Sequence, residues 1–361
     1  MKRGFTTKTG ALKALREALA ASDSTGFTEP SKMPTSEYLA AWLDGLRLAP
    51  STVASYRKNV RLHITPNIGS VPLASLTPVL LDRLYRQLEA GGRADHREGD
   101  GLSPRTVRYI HTILSSAFKN AVEGGLLTAN PASRAKPPTA RQARSPEMHP
   151  WDEEQLAAFL GWSAGHSELH PIWHTLAYTG MRRGEALGLR WRDVDLKTGT
   201  ITVRRSAGIV RNAGEGAEVI EGTTKTGKAR VIDIDAETVA VLESWKRHRV
   251  SLNLVLARDD QLVFGDLNGS HRNPEHLSRT WNQTVARAIG DDIGVPGIRL
   301  HDLRHCHATI LLLAGVPVHV VSQRLGHASP VVTMTVYAHV LPGSQREAAS
   351  LFASRIGKAA A

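Results

Sequence analysis

Apolar side chains recur every three or four positions over most of the first third of the chain, and each repeat is punctuated by residues that start or stop helices. Tyr38, Leu39, Trp42, Leu43 and Leu46 share one side of a first helix beginning near residue 35. Val53, Tyr56 and Val60 continue the pattern from Ser51 in a second, expected to end before Pro66. Leu80, Leu84 and Leu88 follow the pair Thr77-Pro78, a cap residue and a first-turn proline, and Gly91-Gly92 closes that third helix. A fourth opens at Ser103-Pro104, carries Val107, Ile110, Leu114, Phe118 and Ala121, and stops at Gly124-Gly125. Four amphipathic helices of this length predict a small bundle. Ahead of it, Leu12, Leu15 and Leu19 mark a short helix over 7–21 that buries too little to be a domain.

The pattern then changes. Residues 131–150, PASRAKPPTARQARSPEMHP, carry five prolines and read as an extended linker with a basic tint. From Trp151 a second, mostly helical region begins, interrupted by the β-rich runs TITVRRS (200–206) and ARVIDI (229–234), which predict a small antiparallel sheet. The closing stretch pairs Ser344 with Glu347 as a capping box, followed by Ala348, Leu351, Phe352, Arg355 and Ile356 at helical spacing. Its apolar face is expected to dock on a neighbouring copy or on its own domain. The fold class is therefore mainly α with a small antiparallel sheet.

Length and charge sharpen this. A chain of 361 residues exceeds what one core usually organises, so two or three domains are expected. Lys plus Arg number 45 against 34 Asp plus Glu, a formal charge of +11, which points to a polyanionic partner and first to nucleic acid. Cys306 is the single cysteine, so no intramolecular disulfide and no four-thiolate zinc site can form. The first twenty residues lack the apolar core of a secretory signal, and no run of about 20 apolar residues occurs anywhere. A cytoplasmic, DNA-associated protein without membrane partners is expected.

Six residues carry the chemistry. Arg182 lies in TGMRRGEALGLRW, where Leu187, Leu189 and Trp191 would anchor a helix, and Arg304 lies in HDLRH. Each guanidinium offers a fork of donors matched to two phosphate oxygens, so the pair can clamp one phosphodiester. Lys225, in TTKTGKAR, is expected at a hairpin tip where Gly227 allows a tight turn, well placed to protonate a leaving oxygen. His301 shares a helix face with Arg304, while His327, in LGHAS, precedes the segment that brings Tyr337. A phenol with an ordinary pKa of about 10 needs such bases and cations before it can act as a nucleophile. Two other readings compete: His301, His305 and His307 around Cys306 could ligate a metal, and Tyr337 could be a core aromatic. Neither HExxH nor a second cysteine supports the former, so the metal assignment is none.

In their order along the chain, Arg182, Lys225, His301, Arg304, His327 and Tyr337, each within its quoted motif, resemble the tyrosine recombinase, or phage integrase, family. The resemblance spans about 150–345, with the bundle similar by pattern to the family's core-site-binding domain. It implies an N-terminal helix over 1–30, a remnant of an arm-site-binding domain without its three strands, the domain being either vestigial or entered late by this sequence. A helical core-site DNA-binding domain (31–130), the linker (131–150), a catalytic domain (151–345) and a C-terminal coupling helix (346–361) follow. It further implies that Tyr337 attacks a DNA phosphate to give a 3′-phosphotyrosine. Arg182 and Arg304 stabilise the transition state, Lys225 protonates the 5′ oxygen, and His301 and His327 assist. No cofactor is needed, since the covalent bond conserves the energy of the phosphodiester.

The partners so implied are double-stranded DNA attachment sites, a homotetramer on paired sites, and an excisionase or DNA-bending accessory protein. Arg57, Lys58, Arg105 and Arg108 are the candidate DNA-facing residues of the bundle, with ordinary solvated surface as the other reading. A type IB topoisomerase, using the same covalent chemistry, and a DNA-binding regulator that kept only the fold are the rival functions.

Overall fold

The computed structural model describes residues 32–92, 101–144, 149–211, 216–225 and 227–337, together with 349–350, 352–354 and 356. The expected helix at 7–21 and the Ser344/Glu347 capping box lie outside the described residues. The chain divides into two compact units, Met1–Pro146 and Glu147–Ala361.

In the first unit the expected helices form as α1 (Thr35–Asp44), α2 (Pro50–Asn59), α4 (Pro78–Gly91) and α5 (Pro104–Glu123). The cap pairs act as their sequence predicts: the Thr77 hydroxyl accepts from Leu80 N–H, and that of Ser103 from Thr106 N–H. One boundary differs. The second helix does not stop before Pro66 but runs through a π-helical turn, Val60–Ile64, into α3 (Thr65–Ile68), with Pro66 in the first turn of that segment. Proline lacks an N–H and crowds the carbonyl four residues back, and a wider π turn ahead of it removes both objections. Leu39, Ile64, Leu73, Leu81, Ile110 and Phe118 are at the centre of a core sealed by Tyr38, whose hydroxyl donates to Ala117 O at 2.6 Å.

The linker also begins later than its composition suggests. Pro131–Arg134 forms a 3-10 turn with Pro131 and Ala132 buried against the bundle, and Asn130 both caps the turn and donates to Ser115 O at 2.9 Å. Prolines in this stretch end the helical pattern without ending the core, because their rings are themselves apolar surface to bury.

The second unit is built on an aromatic cluster, Trp151, Phe159, Trp173 and Trp281, with ring centroids 5.0 to 5.8 Å apart. Around it pack α6 (Glu153–His166), α7 (His170–Thr179), the short α8 (Arg183–Leu187), α9 (Ala236–Leu252), α10 (Pro274–Gly290) and α11 (Asp302–Leu313). Two more helices, α12 (Val318–Leu325) and α13 (Pro330–Tyr337), add a satellite core of Ala308, Leu312, Val321, Leu325 and Tyr337. The β-rich runs form two antiparallel sheets. Strands β1 (Val194–Asp195), β2 (Thr200–Val203) and β5 (Arg230–Asp233) pair in that order, while β3 (Arg205–Arg211) and β4 (Ala217–Thr223) make a hairpin of their own. Among the described residues no helix is long and apolar enough to cross a membrane.

Candidate active site

Helix α7 ends at Gly180, whose left-handed backbone (φ 61°) turns the chain sharply. A Cβ there would lie 2.7 Å from Leu325 Cδ2 and 2.8 Å from His307 Cδ2, so the turn requires glycine for space as well as for conformation. The turn delivers Arg182, which is the N-cap of α8 and not a residue within a longer helix as expected. Its backbone N–H donates to Glu185 Oε2 at 2.9 Å and its Nη1 to Glu185 Oε1 at 2.8 Å, while Nη2 reaches Gly326 O at 3.3 Å.

Glu185 is 1 % exposed and is held from a second side by Arg230 of β5, whose Nη1 and Nη2 donate to Oε1 and Oε2 at 3.1 and 2.7 Å. Burial alone would raise its pKa, but the hydrogen bonds and charge of Arg230, then those of Arg182, outweigh it and hold the carboxyl below its ordinary value. Arg230 in turn donates Nε to Arg324 O at 2.9 Å. Its guanidinium fills the space above Gly326, where a Cβ would meet Nη1 at 2.8 Å.

Arg304 enters from the first turn of α11 and is 3 % exposed. Nη1 donates to Gly180 O at 2.6 Å, whereas Nη2 is, among the described residues, a buried donor without a partner. Burial first, then the like charge of Arg182, brings its pKa down to about 9. Three arginines, 182, 230 and 304, thus face a single buried carboxylate. An excess of positive charge with an open donor is suited to hold an anion.

The histidines separate into two groups. His327, just after the left-handed Gly326, places Nδ1 2.7 Å from the Thr333 hydroxyl, and burial followed by Arg304 and Arg182 lowers its pKa to about 4. His301, exposed at the start of α11, sets its ring edge-on to His305 with centroids 5.2 Å apart. His305 Nδ1 lies 2.7 Å from Tyr337 Oη. Tyr337 itself is 2 % exposed at the end of α13, and burial raises its pKa above that of an ordinary phenol. It belongs to the satellite core and to the polar site at once: its ring packs there, and its hydroxyl meets His305.

His307 faces the other way, with Nδ1 donating to Ala177 O at 2.9 Å and Nε2 accepting from Arg324 Nε at 3.1 Å. Both ring nitrogens are committed, so the three histidines of HDLRHCH do not converge as a ligand set. Burial pushes the Cys306 thiol up to about 12.

Arg182, His301, Arg304, His327 and Tyr337 are therefore gathered where α7, α11 and α12 meet. Lys225 stands on an exposed turn closed by Gly227 N–H donating to Thr224 O at 2.8 Å, with Gly227 at φ 70°. That turn joins β4 to β5, which pair with different partners, and so is not the expected hairpin tip. In the bundle, Arg57, Lys58, Arg105 and Arg108 are all exposed. Arg57 is paired with Asp44 at 2.7 Å, and Arg108 donates to Pro138 O at 2.9 Å. Sequence reading missed Arg230 and the contact of His305 with Tyr337. The arginine sits in the run ARVIDI (229–234), yet nothing in its spacing reveals a partner 45 residues away.

Comparison with known proteins identifies the family. The model of the phage integrase family matches residues 148–343, and that of the phage integrase N-terminal SAM-like domain matches 36–88. A XerC-like tyrosine recombinase of Caldanaerobacter subterraneus is 27 % identical over 317 residues, covering 83 % of this chain and 76 % of its own. Among solved structures, the Tn1549 transposon integrase in complex with a circular intermediate DNA superposes with a TM-score of 0.71 at 19 % identity, over 90 % of this chain and 99 % of that one. A lambda integrase tetramer bound to a Holliday junction gives 0.61 at 14 %, over 93 % and 88 %. The chain belongs to the phage integrase family of tyrosine recombinases.

Proposed function

We propose that this chain is a site-specific DNA recombinase that integrates or excises a mobile element through a 3′-phosphotyrosine intermediate at Tyr337. The observation that carries the reading is the buried Arg304, with one donor fixed on Gly180 O and the other without a partner among the described residues, in the same polar site as the Tyr337 hydroxyl. A phosphodiester bound there satisfies the free donor and offsets the excess charge of Arg182, Arg230 and Arg304. Because these dipoles and charges are fixed before the substrate arrives, they favour the more highly charged transition state without reorganising.

Tyr337 Oη attacks phosphorus, the bond to the 5′ oxygen breaks, and Lys225 supplies the proton to that oxygen once DNA brings its exposed turn inward. His301 and His327 assist at the non-bridging oxygens. The bundle, taken as the core-site-binding domain, contributes phosphate contacts from Arg57, Lys58, Arg105 and Arg108. Four subunits on two attachment sites complete two rounds of exchange, with an excisionase or DNA-bending protein setting direction. A supercoiled plasmid carrying two copies of the native junction is expected to give recombinant circles, while the same plasmid without them stays unchanged. Relaxation of both plasmids would indicate a type IB topoisomerase instead, and binding without strand breakage a regulator.

Subunit coupling is assigned to the C-terminal segment. A groove of about 580 Å³ in the second unit is lined by Leu156 and Leu160 of α6, Ile310 and Leu311 of α11, and Val320 and Val321 of α12. Phe352 and Ile356 are 70 % and 55 % exposed. The spacing of Leu351, Phe352 and Ile356 suits an apolar helix face entering such a groove on the next subunit. Truncation after Gly343 is expected to leave binding to a single half-site intact while synapsis and recombination of paired sites, read on native gels, are lost. Normal recombination by the truncated protein would refute the coupling role.

A further inference from the structure

Besides the six residues of the proposed mechanism, one side chain touches the reacting atom. We infer that His305 is a seventh catalytic residue, orienting the Tyr337 phenol and taking its proton as the hydroxyl attacks DNA. The inference rests on the reading of Tyr337 as nucleophile.

The geometry is specific. His305 follows Arg304 directly on α11, so the residue that holds the phosphate and the one that holds the nucleophile are fixed on one rigid turn. Nδ1 approaches Tyr337 Oη at 2.7 Å, within the short range of hydrogen bonds donated by a hydroxyl. Among the described residues the phenol proton has no other acceptor, so Oη donates and Nδ1 accepts, which places the ring proton of neutral His305 on Nε2. His301 lies edge-on to the same ring, and Asp302 is the carboxylate nearest in sequence. No other candidate base lies in hydrogen-bonding contact with Oη among the described residues.

Burial first, and then His301, lowers the His305 pKa to about 4, while burial raises that of Tyr337. The proton therefore stays on the phenol in the resting protein, which protects the nucleophile from premature ionisation. It leaves only as the Oη–phosphorus bond forms, when the oxygen becomes an ester and loses its basicity. A phosphate anion beside Arg304 offsets one of the charges that hold His305 down. The step balances: the Oη–H proton passes to Nδ1, the Oη–P bond forms, the P–O5′ bond breaks, and O5′ takes its electron pair and the proton from Lys225. In rejoining, the incoming 5′ hydroxyl gives its proton back to Lys225 and its oxygen displaces Oη, which recovers its own proton from His305.

The test compares His305→Ala and His305→Asn with the parent on a nicked suicide substrate and on the same substrate with a 5′-bridging sulfur. Asparagine places a hydrogen-bond acceptor near the position of Nδ1 but cannot take a proton. Sulfur leaves without protonation, so it relieves defects on the leaving-group side alone. Both variants are expected to form adduct about 10²-fold more slowly on either substrate, with half-site binding within about threefold of the parent. Parental rates in His305→Ala, full recovery in His305→Asn, or recovery on the sulfur substrate would each overturn the assignment. So would loss of half-site binding in both variants in step with the rate, since His305 would then serve only the fold. Failure of the parent protein itself to form an adduct would instead remove the reading of Tyr337.

Discussion

Tyr337→Phe is expected to bind its half-site like the parent protein and to form no covalent adduct at all. The substitution removes one oxygen from a ring that is 2 % exposed and packed on Leu312, Val321 and Leu325, so the satellite core keeps its shape. What is lost besides the nucleophile is one hydrogen bond to His305, a change of about 1 kcal/mol in stability. The measurement is a denaturing gel of protein trapped on a nicked suicide substrate, with half-site binding scored in parallel. A denaturation-resistant complex from the phenylalanine variant would move the nucleophile elsewhere. The other tyrosines would then be reopened, among them Tyr178, whose Oη donates to Glu237 at 3.1 Å with its ring stacked on His174, and Tyr109 of the bundle, which donates to Ser55 at 3.3 Å.

The helices of the bundle were legible because their information is local. A capping hydroxyl, a first-turn proline and an apolar stripe all act within one or two turns, and Thr77-Pro78 and Ser103-Pro104 behave accordingly. Pro66 and Pro131 were misread for the same reason. A local rule gives proline as a stop, whereas the π turn at Val60–Ile64 and the apolar bed beneath Pro131 are decided by packing with distant helices. The active-site motifs could be read from residue type and order, but not how they are held. Glu185 was visible three residues after Arg182, yet its second partner, Arg230, comes from a strand whose register is set by β2. His305 was legible only as a ligand candidate, since whether it turns toward His307 or toward Tyr337 depends on the placement of α13. The same dependence separates His307, whose commitment to Ala177 O and Arg324 no spacing foretells.

Arg304→Ala and Arg182→Ala are each expected to slow cleavage by on the order of 10²-fold or more, the scale of removing one fixed donor from a developing negative charge, with much smaller losses in DNA affinity. The two differ in what they leave behind. Without Arg182, Glu185 still has both oxygens on Arg230, so the buried carboxylate stays paired and the fold is spared the penalty of an orphaned charge. Without Arg304, Gly180 O loses a 2.6 Å donor at the turn that positions Arg182, so this variant is expected to lose a little stability as well. Arg304→Lys separates charge from geometry: an ammonium restores the charge but cannot hold Gly180 O and a phosphate oxygen at once with a planar fork. Its cleavage rate should therefore stay near that of the alanine variant. Single-turnover cleavage and half-site affinity measured on the same preparations decide the matter. Full cleavage by either alanine variant would remove that arginine from the clamp, and an affinity loss as large as the rate loss would make it a general phosphate contact, since only a difference between the two reports binding reserved for the transition state.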